Sequence, residues 1–242
     1  MAGHLGILGH SAEGAALCFR TFCAQADEHP DVTLDCIPFA RCMPAYERGD
    51  YDAIRETMAV SLGRLARAGA DFFVCPDNTV HQALERPGPE FPLPGLHIAE
   101  VVAERAARDG RGRVGVLGTK YLMDGPVYPE AFGRRGIAFE LPDAKDRELV
   151  SDIIFGELVK GVFSESSRGE YVRVIERLAD RGCDAVALVC TEIPLLVTPE
   201  VSPLPTLDST RLLATAAYEV AGGERPLPSW RGGPVLTGGV TA

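Results

Sequence analysis

Apolar positions in this chain recur in two distinct rhythms. Short unbroken runs alternate with longer stretches of helical spacing. Leu5-Gly-Ile-Leu-Gly9, Val32-Thr-Leu-Asp-Cys-Ile-Pro38, Phe72-Phe-Val-Cys75, Val114-Gly-Val-Leu117, Ile137-Ala-Phe-Glu-Leu-Pro142 and residues 185–189 are too short for helices. They suit strands buried on both faces of a parallel sheet. Ser11 stands at the N-cap of a helix carrying Ala15, Ala16, Leu17, Phe19 and Phe22. Asp50 or Asp52 caps another, with Ile54, Met58, Leu62 and Leu65 on one face and Gly69 as its stop. Further helices are expected over 98–108, 143–162 and 171–180, and a short strand at 205–210 runs into a last helix through Val220. Residues 39–48 read as a loop, and residues 85–95, with four prolines, admit no regular structure.

The runs repeat. Gly69-Ala-Asp71 and Gly182-Cys-Asp184 each lead into an apolar strand that breaks into a polar cluster. Counting equally from each leading Asp lands on Asp77 and Cys190. Leu5-Gly-Ile-Leu-Gly9 with His10-Ser11 likewise matches Val114-Gly-Val-Leu-Gly118 with Thr119, in the same order. One repeat of roughly a hundred residues indicates paired domains rather than a solenoid. The expected architecture is α/β: two pseudo-symmetric three-layer domains with mostly parallel sheets and a cleft between them. The first spans 1–112 and is joined by a returning helix at 208–221. The second spans 113–207, and 222–242 form a flexible tail.

Composition narrows the function. The 242 residues are 46% hydrophobic and 24% charged, with a net charge of −10, which argues against nucleic-acid or anionic-membrane partners. No stretch approaches the ~20 apolar residues of a membrane span. Seven scattered cysteines imply reduced thiols in a cytoplasmic protein, and neither they nor the five histidines show metal-ligand spacing. The glycines after the first strand fit neither a dinucleotide fingerprint nor a P-loop.

Ligands of open α/β sheets bind at the carboxyl ends of strands. The polar clusters lie there: His10-Ser11, Asp77-Asn78-Thr79, Thr119 and Cys190-Thr191-Glu192. Asn, Thr and Ser side chains together with helix N-termini suit a small carboxylate, and Arg41 in the 39–48 segment is a candidate anion partner. Proton-transfer groups on opposite faces of one carbon can invert it, which makes Asp77 and Cys190 the candidate pair.

Cys75-Pro-Asp-Asn-Thr-Val-His81 resembles the Cys-Asn-Thr-Ala-His motif of the aspartate/glutamate racemase superfamily, and Val189-Cys-Thr-Glu-Ile-Pro-Leu-Leu196 resembles its Gly-Cys-Thr-Glu motif. Gly115-Val-Leu-Gly-Thr119 and Leu207-Asp-Ser-Thr210 are similar to two further elements, so the likeness extends over residues 4–220. The resemblance implies racemisation without pyridoxal phosphate or metal, by a pair of cysteines, one per domain, in a homodimer. Relatives include hydantoin racemases, maleate cis-trans isomerases and arylmalonate decarboxylases. Aligning Asn78-Thr79 with the family's Asn-Thr puts Asp77 at the first catalytic position and leaves Cys75 in the core. The leading expectation is a cofactor-independent racemase or epimerase of a small carboxylated substrate such as an amino acid. His10, Ser11, Arg41, Asn78, Thr79, Thr119 and Thr191 would bind that substrate, and His81 and Glu192 would support the catalytic pair from behind. The alternatives are a single-cysteine lyase or cis-trans isomerase, and a carboxylate-binding protein without catalysis.

Overall fold

The computed structural model describes residues 3–229. Its first half runs β1 (Leu5–Gly9), α1 (Ala12–Cys23), β2 (Val32–Cys36), α2 (Met43–Arg48), α3 (Tyr51–Arg67), β3 (Phe72–Val74), α4 (His81–Leu84), β4 (Gly95–Leu96) and α5 (Ile98–Arg108). The second runs β5 (Arg113–Leu117), α6 (Lys120–Met123), α7 (Val127–Gly133), β6 (Ala138–Glu140), α8 (Ala144–Gly156), α9 (Glu165–Asp180), β7 (Ala185–Leu188), α10 (Ile193–Leu196), β8 (Thr206–Asp208) and α11 (Ser209–Ala221). The strands form two four-stranded sheets, ordered β2-β1-β3-β4 and β6-β5-β7-β8, and every pair is parallel.

Strand alternation sorts each sheet's side chains into two cores. Leu5, Ile7, Phe72 and Val74 face α1, α5 and α11, whereas Leu8, Phe73 and Cys75 face α2 and α3. In the second sheet Val114, Val116, Ala185 and Ala187 face α5 and α7, and Leu117, Val186 and Leu188 face α8 and α9. The central strands β1, β3, β5 and β7 are therefore dry on both faces, which is why they read as unbroken apolar runs, whereas the edge strands β2 and β6 are partly exposed. Helix α5 serves both halves: Ile98 and Val101 pack on the first sheet, Val102 and Ala106 on the second. Helix α11 returns from the second sheet to lie on α1 and α5.

The strand glycines explain how the helices come so close. A Cβ at Gly6 would lie 3.3 Å from Leu65 of α3, and at Gly115, its repeat equivalent, 2.8 Å from Leu178 of α9.

Local structure departs from expectation in several places. Residues 39–48 are a 3-10 turn, Phe39–Arg41, followed by α2, which has Pro44 in its first turn and Gly49 in the left-handed conformation as its stop. Both are ordinary helix boundary signals. The proline-rich segment ends in β4, where the Pro94 carbonyl accepts from Phe73 N–H at 2.9 Å. Helix α8 stops at Gly156 and a 3-10 turn, Leu158–Lys160, follows, while α9 begins earlier than expected, at a cap formed by Ser164. Of the expected tail, 222–225 are tied back to α11 by backbone bonds to Tyr218, Glu219 and Val220, and 230–242 lie outside the described residues. No helix among the described residues is long and apolar enough to cross a membrane, and all seven cysteines are free.

Candidate active site

The carboxyl ends of both sheets open into one cavity of ≈ 350 Å³. Strand register fixes how its two sides correspond. Leu5 pairs with Phe72 in the first sheet and Val114 with Ala185 in the second. Because Leu5 and Val114 are repeat equivalents, so are Phe72 and Ala185, and counting five residues onward reaches Asp77 and Cys190. Both line the cavity.

Asp77 is held from two directions. Its Oδ1 accepts from Val80 N–H at 3.1 Å, and its carbonyl accepts from His81 Nδ1–H at 2.8 Å. His81 is fully buried, and its Nε2 accepts from Ile98 N–H, which fixes its tautomer and ties the Asp77 turn to α5. It stands behind the cavity, as a supporting residue. Burial raises the Asp77 pKa above the ordinary carboxylate range and the Glu192 charge adds to this, against the opposing effects of His10 and the backbone N–H groups of Val80 and Thr79.

The thiol of Cys190 donates to Glu192 Oε2 at 3.1 Å, and Thr191 Oγ1–H donates to the same oxygen at 2.9 Å. Glu192 itself lines the cavity. Burial, followed by the Glu192 carboxylate, pushes the Cys190 pKa well above the usual thiol range. The following helix, α10, is one turn long, and a carboxylate lies against the sulfur. The sulfur thus has a proton acceptor directly beside it.

The remaining lining follows the repeat. Ser11 caps α1, accepting from Gly14 N–H at 3.1 Å, and Thr119 caps α6, accepting from Leu122 N–H at 3.2 Å. The Thr79 and Thr119 hydroxyls, one from each half, are 2.9 Å apart. Such a pair spends one O–H internally and keeps one for a ligand. Asn78 also lines the cavity, but both ends of its amide are engaged: Nδ2–H donates to Ser209 Oγ at 3.0 Å and Oδ1 accepts from Tyr128 O–H at 2.6 Å. It bridges the halves more than it offers itself to a ligand. Tyr128 carries no motif that singles it out, whereas Ser209 belongs to the Leu207-Asp-Ser-Thr210 element. The Thr191 side chain sits against Gly14, where a Cβ would come within 2.5 Å of its hydroxyl.

His10 is buried against Phe39 and Tyr46. Its Nδ1–H donates to the Ile37 carbonyl at 2.9 Å, and its Nε2 is buried with no hydrogen-bond partner among the described residues. Arg41 departs from expectation: it is exposed and does not line the cavity. It shares a 3-10 turn with Phe39, and with three residues per turn the two occupy different faces. Phe39 takes the inward one. Cys75 is fully buried in the core of the first half, as its alignment implies. Among the described residues no group of three or more His, Cys, Asp and Glu side chains is placed to hold a metal ion.

The family model for Asp/Glu/Hydantoin racemase matches residues 11–217. The chain belongs to that racemase family. It is thereby an enzyme of the isomerase class. A solved structure from Yersinia pestis, a candidate Asp/Glu racemase, is 30% identical and superposes with a TM-score of 0.76 over 90% of this chain and 99% of its own. The broad specificity amino-acid racemase RacX of Bacillus subtilis (strain 168) is 21% identical over 165 residues, 68% of this chain and 71% of RacX. A 31% match over 130 residues to a chloroplastic/mitochondrial DNA gyrase protein of Nicotiana benthamiana covers 51% of this chain but only 14% of that protein.

Proposed function

We propose that this racemase-family chain inverts the α-carbon of a small carboxylated substrate, an amino acid, by two-base proton transfer without a cofactor. The observation that carries the reading is the equivalence of Asp77 and Cys190: one per half, in matching register, on one cavity. The substrate carboxylate is held by the Thr79–Thr119 hydroxyl pair and by Ser11 and the start of α1, beside the buried His10 Nε2. Ionised Asp77 removes the α-proton from one face. The carbanion's charge passes into the substrate carboxylate, and Cys190 S–H delivers a proton to the other face. Asp77 is then protonated and Cys190 is a thiolate. In the opposite direction the thiolate is the base and protonated Asp77 the acid. Burial that raises the Asp77 pKa strengthens it as a base and keeps it protonated more readily as an acid. Between turnovers Cys190 regains a proton and Asp77 releases one to solvent, and Glu192, hydrogen-bonded to the sulfur, is placed to relay the proton to Cys190.

A second reading rests on the chemical inequality of the pair. Unperturbed Asp and Cys titrate near ~3.9 and ~8.5, so the two directions differ, and a one-way lyase or cis-trans isomerase could use Cys190 alone. Incubation with a panel of amino and dicarboxylic acids in deuterated water separates the readings. Deuterium at the α-carbon together with racemisation supports the first. Product without racemisation supports the second, and ligand-induced thermal stabilisation without turnover contradicts both. We further propose a homodimer in the cytoplasm, consistent with seven free cysteines. A 25.9 kDa species in sedimentation at working concentration would count against the dimer.

A further inference from the structure

The cavity is divided. Its inner part is polar and holds the Asp77 and Cys190 turns. Its outer part is built from Phe39 and Ala40 after β2 and from Ile154, Phe155 and Val159 at the end of α8 and the 3-10 turn that follows. The Phe39 and Phe155 rings stand 6.1 Å apart, one from each half. Each is braced from behind: Phe39 stacks on Tyr46 at 5.1 Å, and Phe155 meets Tyr121 edge-on at 6.1 Å. The charged side chains that line the cavity are the two carboxylates, Asp77 and Glu192, and no Lys or Arg lines it among the described residues. Arg41 and Lys160 adjoin the lining residues Ala40 and Val159 in sequence, but both are exposed.

We infer that the substrate carries one carboxylate and an apolar side chain, aromatic or branched aliphatic, which packs against the wall formed by the Phe39–Phe155 pair. The inference rests on the carboxylate-site reading above and names the substrate class for it. A second carboxylate on the substrate would enter the same space as Asp77 and Glu192 with no Lys or Arg of the lining to meet it, and an unpaired charge is costly to desolvate. An apolar group placed there leaves water for a surface already shaped by aromatic rings. Burying a Leu- or Phe-sized group favours binding by about ten- to a hundredfold. The site is at the small end of small-molecule cavities, which limits the substrate to about a single amino acid.

Titration calorimetry on the intact protein tests this with catalytically inert ligands: 3-phenylpropionate and 4-methylpentanoate against glutarate and succinate. The monocarboxylates are expected to bind at least about tenfold tighter. Equal or tighter binding of glutarate or succinate overturns the inference. Phe155→Ala should weaken 3-phenylpropionate by about tenfold while changing propionate little. Val159→Arg, at a position that is 43% exposed and tolerant of a long side chain, should improve glutarate and weaken 3-phenylpropionate. Indifference of both variants to the ligand's side chain also overturns it. The kinetic counterpart compares leucine and phenylalanine with glutamate by α-deuterium uptake. Fastest exchange of glutamate would refute the apolar pocket and leave the racemase reading standing. No exchange of any amino acid, with the ligand ranking preserved, would refute the racemase reading and support the pocket.

Discussion

Burial and then the Glu192 carboxylate raise the Cys190 pKa, and Glu192→Gln isolates the second effect. The substitution keeps shape and a hydrogen-bond acceptor for the thiol but removes the charge. Two unit charges 3.1 Å apart repel by about 5 kcal/mol at an effective dielectric constant of about 20. Water in the open cavity and movement of the Gln amide relieve part of this, and the Cys190 pKa is expected to fall, burial still holding it above the usual thiol range. The assay is the pH dependence of Cys190 alkylation by iodoacetamide, followed peptide by peptide because Cys36 is exposed and will react as well. In Glu192→Gln the alkylation curve for Cys190 should move to lower pH while those of the other cysteines stay in place. Racemisation should slow in the direction that needs Cys190 as acid, since less of it remains protonated near the upper end of the pH range. An unchanged curve for Cys190 would refute the claim that Glu192 holds the thiol proton in place.

Asp77→Asn should abolish racemisation and raise Tm at pH 7. Burial holds the folded pKa of Asp77 above its unfolded value, so ionisation destabilises the fold above that raised pKa, by about 1.4 kcal/mol per unit of elevation, and the penalty disappears below the unfolded value of about 3.9. The Tm gain should therefore vanish on acidification, and a gain that grows toward low pH would contradict the assignment. Gly14→Ala brings a methyl within 2.5 Å of the Thr191 hydroxyl. It should lower kcat/KM by on the order of a hundredfold and destabilise the fold, whereas helix propensity alone would stabilise by up to about 1 kcal/mol. Cys75→Ala, in the closed core, should cost on the order of 1 kcal/mol in chemical denaturation and leave turnover intact.

The fold is legible in the sequence because its central strands are buried on both faces and its repeat is preserved. Offsets counted from Asp71 and Asp184 agree with the observed strand register, which is why Asp77 and Cys190 pair by counting alone. Helix α2 escapes notice because Cys42-Met-Pro44 reads as a break, although Pro44 in a first turn and Gly49 at a stop are helix signals when taken together. Strand β4 is two residues long and leans on the Pro94 carbonyl, so it has no periodicity to detect. Arg41 falls on the other side from the cavity because the direction of a single 3-10 turn decides it. Phe155 and Val159 lie more than thirty residues before Cys190, and no local pattern indicates that the end of α8 reaches the cavity. Glu192 stands two residues from Cys190, yet its contact with the sulfur depends on how the chain turns after β7.

The central claim is that Asp77 and Cys190 serve opposite faces of one carbon. The most direct measurement is enantiomer-resolved α-hydrogen exchange in deuterated water for the wild type, Asp77→Asn and Cys190→Ala, on whichever amino acid the wild type racemises. Wild type should place deuterium in the product enantiomer before the substrate enantiomer. Each variant should lose racemisation, and any residual exchange should be confined to one enantiomer, the opposite one in the two variants. Full turnover by Cys190→Ala, or racemisation undiminished in Asp77→Asn, would contradict the account.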